Sequence, residues 1–341
     1  MLYGLLVGIR NLLFDKGLLR SVNHPLPLIV VGNITTGGTG KTPHVEYLIR
    51  LLSNKGKVAT LSRGYGRKTK GYKLATTSCL SEYIGDEPMQ YVSKFQDTLV
   101  AVDEDRNNGI ANLLKENNPP EIIILDDAFQ HRYVKPGLSI LLTDFYHPHT
   151  NDYLLPSGKL REPISSASRA DVIVISKCPL ILSPIVKRHL IEEMKPTPQQ
   201  KIFFSYYRYS EFISLSPSFP NFPEDDLSYI LVFAGIANPY PIQEYLIKMA
   251  MDVEILPFRD HHPYTVKDIE SIRKKFEDHY ARKKVIITTE KDAMRLKGSD
   301  LMKIIVDLPV FYLPIEVKFH DTEESFDNTI LNYVERSKTN H

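Results

Sequence analysis

The stretch Thr35-Thr36-Gly37-Gly38-Thr39-Gly40-Lys41-Thr42 constrains this chain more than any other. It follows the compact apolar run Leu28-Ile29-Val30-Val31 and precedes a helical pattern from Lys41 to about Asn54, which reads as strand, loop, helix. Gly37, Gly38 and Gly40 let backbone N–H groups turn inward around phosphate oxygens, and the start of the helix adds partial positive charge. In that context the Gly-Lys-Thr ending is a Walker A pattern, in which Lys41 reaches the β and γ phosphates and the Thr42 hydroxyl takes a position on Mg²⁺. Thr35 stands where the strict motif has glycine, and the competing reading is an ordinary glycine-rich turn.

Glu121-Ile122-Ile123-Ile124-Leu125-Asp126-Asp127 is the natural partner of that loop. An apolar strand ending in acidic residues delivers carboxylates to the C-terminal edge of a sheet, where metal and phosphates lie. Alone it would be as well explained by an aspartate capping a turn. With the loop upstream it resembles Walker B, and the two together call for ATP and Mg²⁺ as cofactors.

Similar β-branched runs recur at 58–61, 98–102, 122–125, 140–142 and 172–175, several of them separated by helical patterns such as 105–116 and Pro184–Met194. Short continuous apolar strands of this kind imply a parallel α/β sheet covered on both faces, hence a P-loop NTPase-like fold. Aromatic and proline-rich sequence then interrupts the rhythm, and a second α/β series follows from Tyr229. The expected organisation is a terminal segment over 1–24, a nucleotide-binding lobe over 25–200, a connector over 201–228 and a smaller α/β lobe over 229–341, with the two lobes facing a cleft.

Lysine and arginine total 42 against 41 aspartates and glutamates, so no chain-wide field attracts nucleic acid. Cys79 and Cys178 make neither a disulfide framework nor a zinc site, which favours a reducing, cytosolic setting. Residues 1–20, MLYGLLVGIRNLLFDKGLLR, are the most apolar segment, yet Arg10, Asp15, Lys16 and Arg20 interrupt them short of a membrane span. Their basic excess suits an anionic lipid surface, with Leu2, Leu5, Leu6, Ile9, Leu12 and Leu13 entering the acyl boundary. On a helical wheel the polar residues scatter, so periodicity leaves open whether this helix lies on a membrane or packs on the protein's own core.

Further motifs follow in order: Ser62-Arg63-Gly64-Tyr65-Gly66-Arg67, Gly85-Asp86-Glu87-Pro88, Asp126-Asp127-Ala128-Phe129-Gln130-His131-Arg132, Leu155-Pro156-Ser157-Gly158-Lys159-Leu160-Arg161-Glu162-Pro163, Gly235-Ile236-Ala237-Asn238-Pro239, Asp260-His261-His262 and Thr288-Thr289-Glu290-Lys291-Asp292. In this order and spacing the chain resembles the tetraacyldisaccharide 4'-kinase family, the lipid A kinases of Gram-negative bacteria. Ala128 and Ser157-Gly158-Lys159 are minor departures that remove no reactive group. The resemblance implies transfer of the ATP γ-phosphate to the 4'-hydroxyl of a tetraacylated glucosamine disaccharide 1-phosphate, at the cytoplasmic face of the inner membrane. It also implies two α/β lobes joined by a β-ribbon and an N-terminal helix on the bilayer, with no obligate protein partner and no nucleic acid.

A sugar hydroxyl is a poor nucleophile at neutral pH, so transfer gains from a carboxylate that accepts its proton and from cations that hold the phosphoryl group in line. Asp86 is the candidate base, and the resemblance pairs it with His261, or with His262 if the register shifts by one. Arg106 and Arg161 fit phosphate clamping, with Asp127 and Arg63 positioning phosphate or substrate. Asp126 and Glu162 join Thr42 as candidate metal ligands, and which carboxylate binds directly stays open. Arg67 shares the Arg63 loop, and Asp292 fits either an adenine contact or a helix cap. A P-loop ATPase working as a nucleotide-dependent switch is the alternative, as is a soluble small-metabolite kinase. A switch needs no acceptor pocket or base.

Overall fold

The computed structural model describes residues 2–223, 227–236, 238–260, 262–297, 300–320 and 325–339. Its strands are β1 (Leu28–Gly32), β2 (Val58–Ser62), β3 (Lys73–Leu74), β4 (Leu99–Val102), β5 (Ile122–Asp126), β6 (Leu138–Asp144), β7 (Val172–Ser176), β8 (Lys201–Tyr209), β9 (Ile213–Ser214), β10 (Leu227–Ala234), β11 (Ala250–Pro257), β12 (Lys284–Thr289), β13 (Val310–Leu313) and β14 (Ile315–Phe319). β1, β2, β5 and β7 are buried at every position, as apolar runs without alternation require.

The larger sheet runs β14-β8-β7-β6-β1-β5-β2-β4-β3. From β8 across to β4 every pairing is parallel, and β3 closes the edge antiparallel. Because β1 lies between β5 and β6, the Walker A loop and the end of β5 emerge side by side, with Val31 in register with Asp126. The expected parallel α/β architecture is the observed one, and its central crevice is where such sheets bind ligands.

A second sheet, β11-β10-β12-β13-β9, is parallel except for β9. Alternation along β10 splits its core: Tyr229, Leu231 and Phe233 pack with Ile269, Ile272 and Phe276 of the Val266–Asp278 helix, while Ile230 and Val232 meet Ile242 and Leu246 of the Tyr240–Leu246 helix.

The chain forms two compact units, one of residues 1–208 with 317–341 and one of Tyr209–Glu316. This differs from the expected lobe over 229–341, because the last helix, Phe326–Thr339, rejoins the first unit. The Tyr333 hydroxyl bridges the amide and carbonyl of Leu28 at 2.9 and 3.2 Å, and Tyr47 donates to Asp327 at 2.6 Å. Phe326 stacks on Phe319 at 4.0 Å. The expected connector is also redrawn, since β8 belongs to the larger sheet and carries the chain out of the first unit while its neighbour β14 brings it back.

The N-terminal helix, Leu2–Asp15, inverts the usual amphipathic order. Asn11 and Phe14 are buried, whereas Leu5, Leu6, Ile9 and Leu12 are 60, 58, 47 and 54% exposed. Polar groups make the seam with the protein: Arg10 donates to Gln130 O at 3.0 Å and Glu162 at 3.2 Å, Asn11 to Glu162 at 3.3 Å, and Arg132 to Asn11 O at 3.0 Å and Asp15 at 2.6 Å. One face of the helix therefore packs on the protein's own core, and the apolar residues of the other stand exposed. Among the described residues no helix is long and apolar enough to cross a membrane.

Candidate active site

Gly37 and Gly40 of the Walker A loop adopt φ of 109° and 86°, and a Cβ on Gly40 would collide with the Tyr207 hydroxyl. The helix Lys41–Leu52 starts at that point, so its free amides face the loop. His44 braces the turn from behind. Its Nδ1 lies 2.7 Å from Gly40 O and must donate there, which leaves Nε2 to accept from Ser205 Oγ at 2.9 Å. Burial holds this imidazole down to about 4, so it stays neutral.

The segment carrying Arg161 runs antiparallel beside the loop: Thr36 N donates to Lys159 O and Arg161 N to Ile34 O, both at 2.7 Å. The Arg161 guanidinium consequently reaches Asp127 Oδ1 at 2.9 Å, while Lys41 Nζ stands 3.6 Å from the same oxygen. Asp127 itself takes a left-handed φ of 47°, a conformation that turns the chain sharply off β5. Burial opposes its charge, but Lys41 and Arg161 hold its carboxyl below the usual range.

Asp126 is the opposite case. One of its oxygens accepts from Tyr91 at 2.8 Å, and the other, Oδ1, is buried without a hydrogen-bond partner. Burial first, then the charges of Asp127 and Glu87, push this carboxyl up to about 6. A buried oxygen in such a field fits a divalent cation, and buried Thr42 supplies a hydroxyl at the head of the loop helix. Among the described residues no group of three histidine, cysteine or carboxylate side chains could form a cage.

Glu162 departs from the sequence expectation of a metal ligand. Its carboxylate, 1% exposed, pairs with Arg169 at 2.5 Å and Arg10 at 3.2 Å, and Asn11 donates to it as well. These donors come from the N-terminal helix and its seat, so Glu162 anchors that helix. Arg67 is likewise structural, its guanidinium held by Glu104 at 2.7 Å and Gly71 O at 2.9 Å.

A family model described as tetraacyldisaccharide-1-P 4'-kinase, LpxK, matches residues 1–335. The chain belongs to this family. A tetraacyldisaccharide 4'-kinase of Flavobacterium johnsoniae is 47% identical over 337 residues, covering 99% of this chain and 96% of the relative. That of Parabacteroides distasonis is 45% identical, covering 100% and 94%. The crystal structure of LpxK from Aquifex aeolicus in complex with ATP superposes with a TM-score of 0.73 at 28% identity, over 98% of this chain and 96% of that one.

Within this LpxK-family chain the remaining candidates fall in both units. Asp86 opens the helix Asp86–Lys94 directly after Gly85, whose φ of 98° and approach to Gly64 Cα, 3.2 Å from where a Cβ would stand, pack the Arg63 loop against it. Arg63 is exposed. Arg106 is buried and donates to the carbonyls of Asp103 and Glu104 at 3.0 and 3.2 Å, within the fields of Asp126, Asp127 and Arg63. In the second unit the buried Asp292 accepts from Gly235 N at 2.9 Å, Arg295 at 2.6 Å and the Thr289 hydroxyl at 2.6 Å, and the cap of its helix is Thr289. His261 lies outside the described residues, and His262 is engaged with Asp268 at 3.0 Å.

Asn33, His44 and Tyr91, with Gln130 of the motif that follows Asp126, organise the LpxK-family site although none of them had an expected role. Asn33 carried a local signal, being a polar residue at the mouth of a buried strand immediately before the loop. His44 is local to the loop and Gln130 to Asp126, but their contacts with Ser205 and the Asn33 carbonyl, like that of Tyr91 with Asp126, are made only when the chain folds.

Proposed function

We propose that this chain transfers the γ-phosphoryl group of ATP to the 4'-hydroxyl of an acylated glucosamine disaccharide 1-phosphate, acting at the cytoplasmic face of the inner membrane of a Gram-negative bacterium. The observation that carries the reading is the convergence of Lys41 and Arg161 on Asp127 at the Walker A loop, in a chain of the LpxK family. In this reading the bond from the γ-phosphorus to the β-bridging oxygen breaks as the bond to the sugar oxygen forms. ADP leaves, and the hydroxyl proton passes to Asp86, the candidate base.

The loop amides from Thr35 to Thr42 cradle the phosphates, Lys41 and Arg161 meet the transferring group, and Arg106 and Arg63 position phosphate on the acceptor side. Asp126 and Thr42 would hold Mg²⁺, which when bound neutralises charge across the β and γ phosphates. The exposed leucine face of Leu2–Asp15 would lie in the acyl boundary of an anionic membrane, where an acylated acceptor resides.

Phosphate transfer from ATP to purified disaccharide lipid in mixed micelles, measured beside basal ATP hydrolysis, tests the reading. Transfer stoichiometric with ADP release is expected. Hydrolysis without transfer would favour the nucleotide-switch alternative instead.

A further inference from the structure

We propose that Asn33 is a positioning residue of the phosphoryl-transfer site, holding Lys41 and Arg161 on one neutral oxygen so that both cations meet the same phosphoryl group. The inference rests on the kinase reading above and extends it to a side chain outside the phosphate-loop motif.

Asn33 follows β1 and is fully buried. Its Nδ2 donates to Thr39 Oγ1 at 2.8 Å and to Thr35 Oγ1 and Gly37 O at 3.4 Å, three points spread along the loop. Its Oδ1 accepts from Lys41 Nζ at 3.4 Å and from Arg161 Nη2. The backbone carbonyl of the same residue accepts from Gln130 at 2.7 Å and Arg161 at 3.2 Å. Asp127 holds the same two cations, at 3.6 and 2.9 Å.

A carboxamide suits this place for two reasons. It donates and accepts at once, so one side chain sets both the loop and the cations. It is also neutral. Asp127 pairs directly with both Lys41 and Arg161, and Asp126 also lies in the field of Lys41, so a neutral oxygen at position 33 holds the two cations without drawing more of their charge away from phosphate. A further carboxylate at position 33 would draw the charge of Lys41 and Arg161 away from phosphate while adding ion pairs to the folded state.

The isosteric change Asn33→Asp therefore separates positioning from support. The Thr35 and Thr39 hydroxyls can turn to donate to the new carboxylate, so the fold keeps most of its contacts. We expect kcat/KM for transfer to fall by about 10²-fold, the range for losing an oriented charge-stabilising group, with a melting temperature equal to or above that of the parent. Asn33→Ala and Arg161→Ala should each lower kcat, and the double variant should be little worse than the worse single one, because both act on one clamp.

Near-parental turnover of Asn33→Asp, a melt that falls in step with its activity, or fully multiplicative losses in the double variant would each overturn the proposal. Basal ATP hydrolysis is recorded for every variant in parallel. If the parent chain fails to phosphorylate the lipid, the kinase reading falls, while the hydrolysis series still reports on Asn33.

Discussion

At Asp126 two demands pull against each other, since the buried carboxylate that suits a metal is a cost to the metal-free fold. Its folded value of about 6 lies above the ordinary 3.8, so its contribution to stability is complete below the lower value and is lost as pH rises through the upper one. The gap corresponds to about 3 kcal/mol. Asp126→Asn should accordingly be at least as stable as the parent in chelator at neutral pH, with the advantage shrinking as the pH falls toward the unfolded value, while transfer is lost. Paired thermal melts across that range check it, and a variant less stable than the parent at neutral pH would contradict the assignment. Lys41→Ala and Thr42→Ala belong to the same scale. Each should fold normally and lose turnover by on the order of 10²-fold or more at saturating ATP and Mg²⁺, because charge on the γ-phosphate or a metal oxygen is missing in the transition state.

Among the elements, the N-terminal helix behaves least like a globular one. A helix seated by Arg10, Asn11 and Asp15 with its leucines outward places the polar groups where burial is costly and the apolar groups where water is, unless a bilayer covers them. The combined change Leu5→Ser, Leu6→Ser and Ile9→Ser should weaken co-sedimentation with anionic vesicles by more than about tenfold, each lost apolar side chain being worth 1–3 kcal/mol in the interface. The melt should move less than the vesicle binding, as these side chains are about half exposed in the folded chain. Glu162→Ala should do the reverse. It strands Arg10 and Arg169 beside a buried site and should destabilise the first unit by about 3 kcal/mol, a drop readable by denaturant titration. An unaltered midpoint would show that the helix is not anchored there.

On the scale of the whole molecule, the first unit is discontinuous in sequence and the second is not. Tyr209–Glu316 carries its own sheet and two packed layers, so as an isolated fragment it should fold with a cooperative melt. A fragment ending at residue 208 lacks β14 and the helix that covers Leu28, Tyr47 and Phe203, and it should be aggregation-prone or melt without cooperativity. Circular dichroism melts of the two fragments distinguish these outcomes. Two well-folded fragments would mean that the C-terminal helix is dispensable to the core.

What could be read from the sequence alone was whatever local chain chemistry dictates. The Walker A loop is contiguous, its glycines answer to backbone conformation, and the β-branched runs answer to burial on both faces, so the parallel sheet, the nucleotide and the order of elements were legible before any contact was known. The motifs ordered along the chain carried the family resemblance. Contacts across large sequence separations were not legible. Glu162 reads as a ligand beside Arg161, yet folding turns adjacent residues to opposite tasks, one toward Asp127 and the other toward Arg10 some 152 positions away. The wheel of the first helix scatters its polar residues because their partners, Glu162, Gln130 and Arg132, lie elsewhere in the chain. The return of Phe326–Thr339 to Leu28 spans 305 positions and obeys no periodicity. Asn33 becomes a hub only when Arg161, 128 residues on, is laid beside the loop. Propensity and pattern act within a few residues, whereas charge pairing and burial are settled by which surfaces meet, and that is decided only when the whole chain has folded.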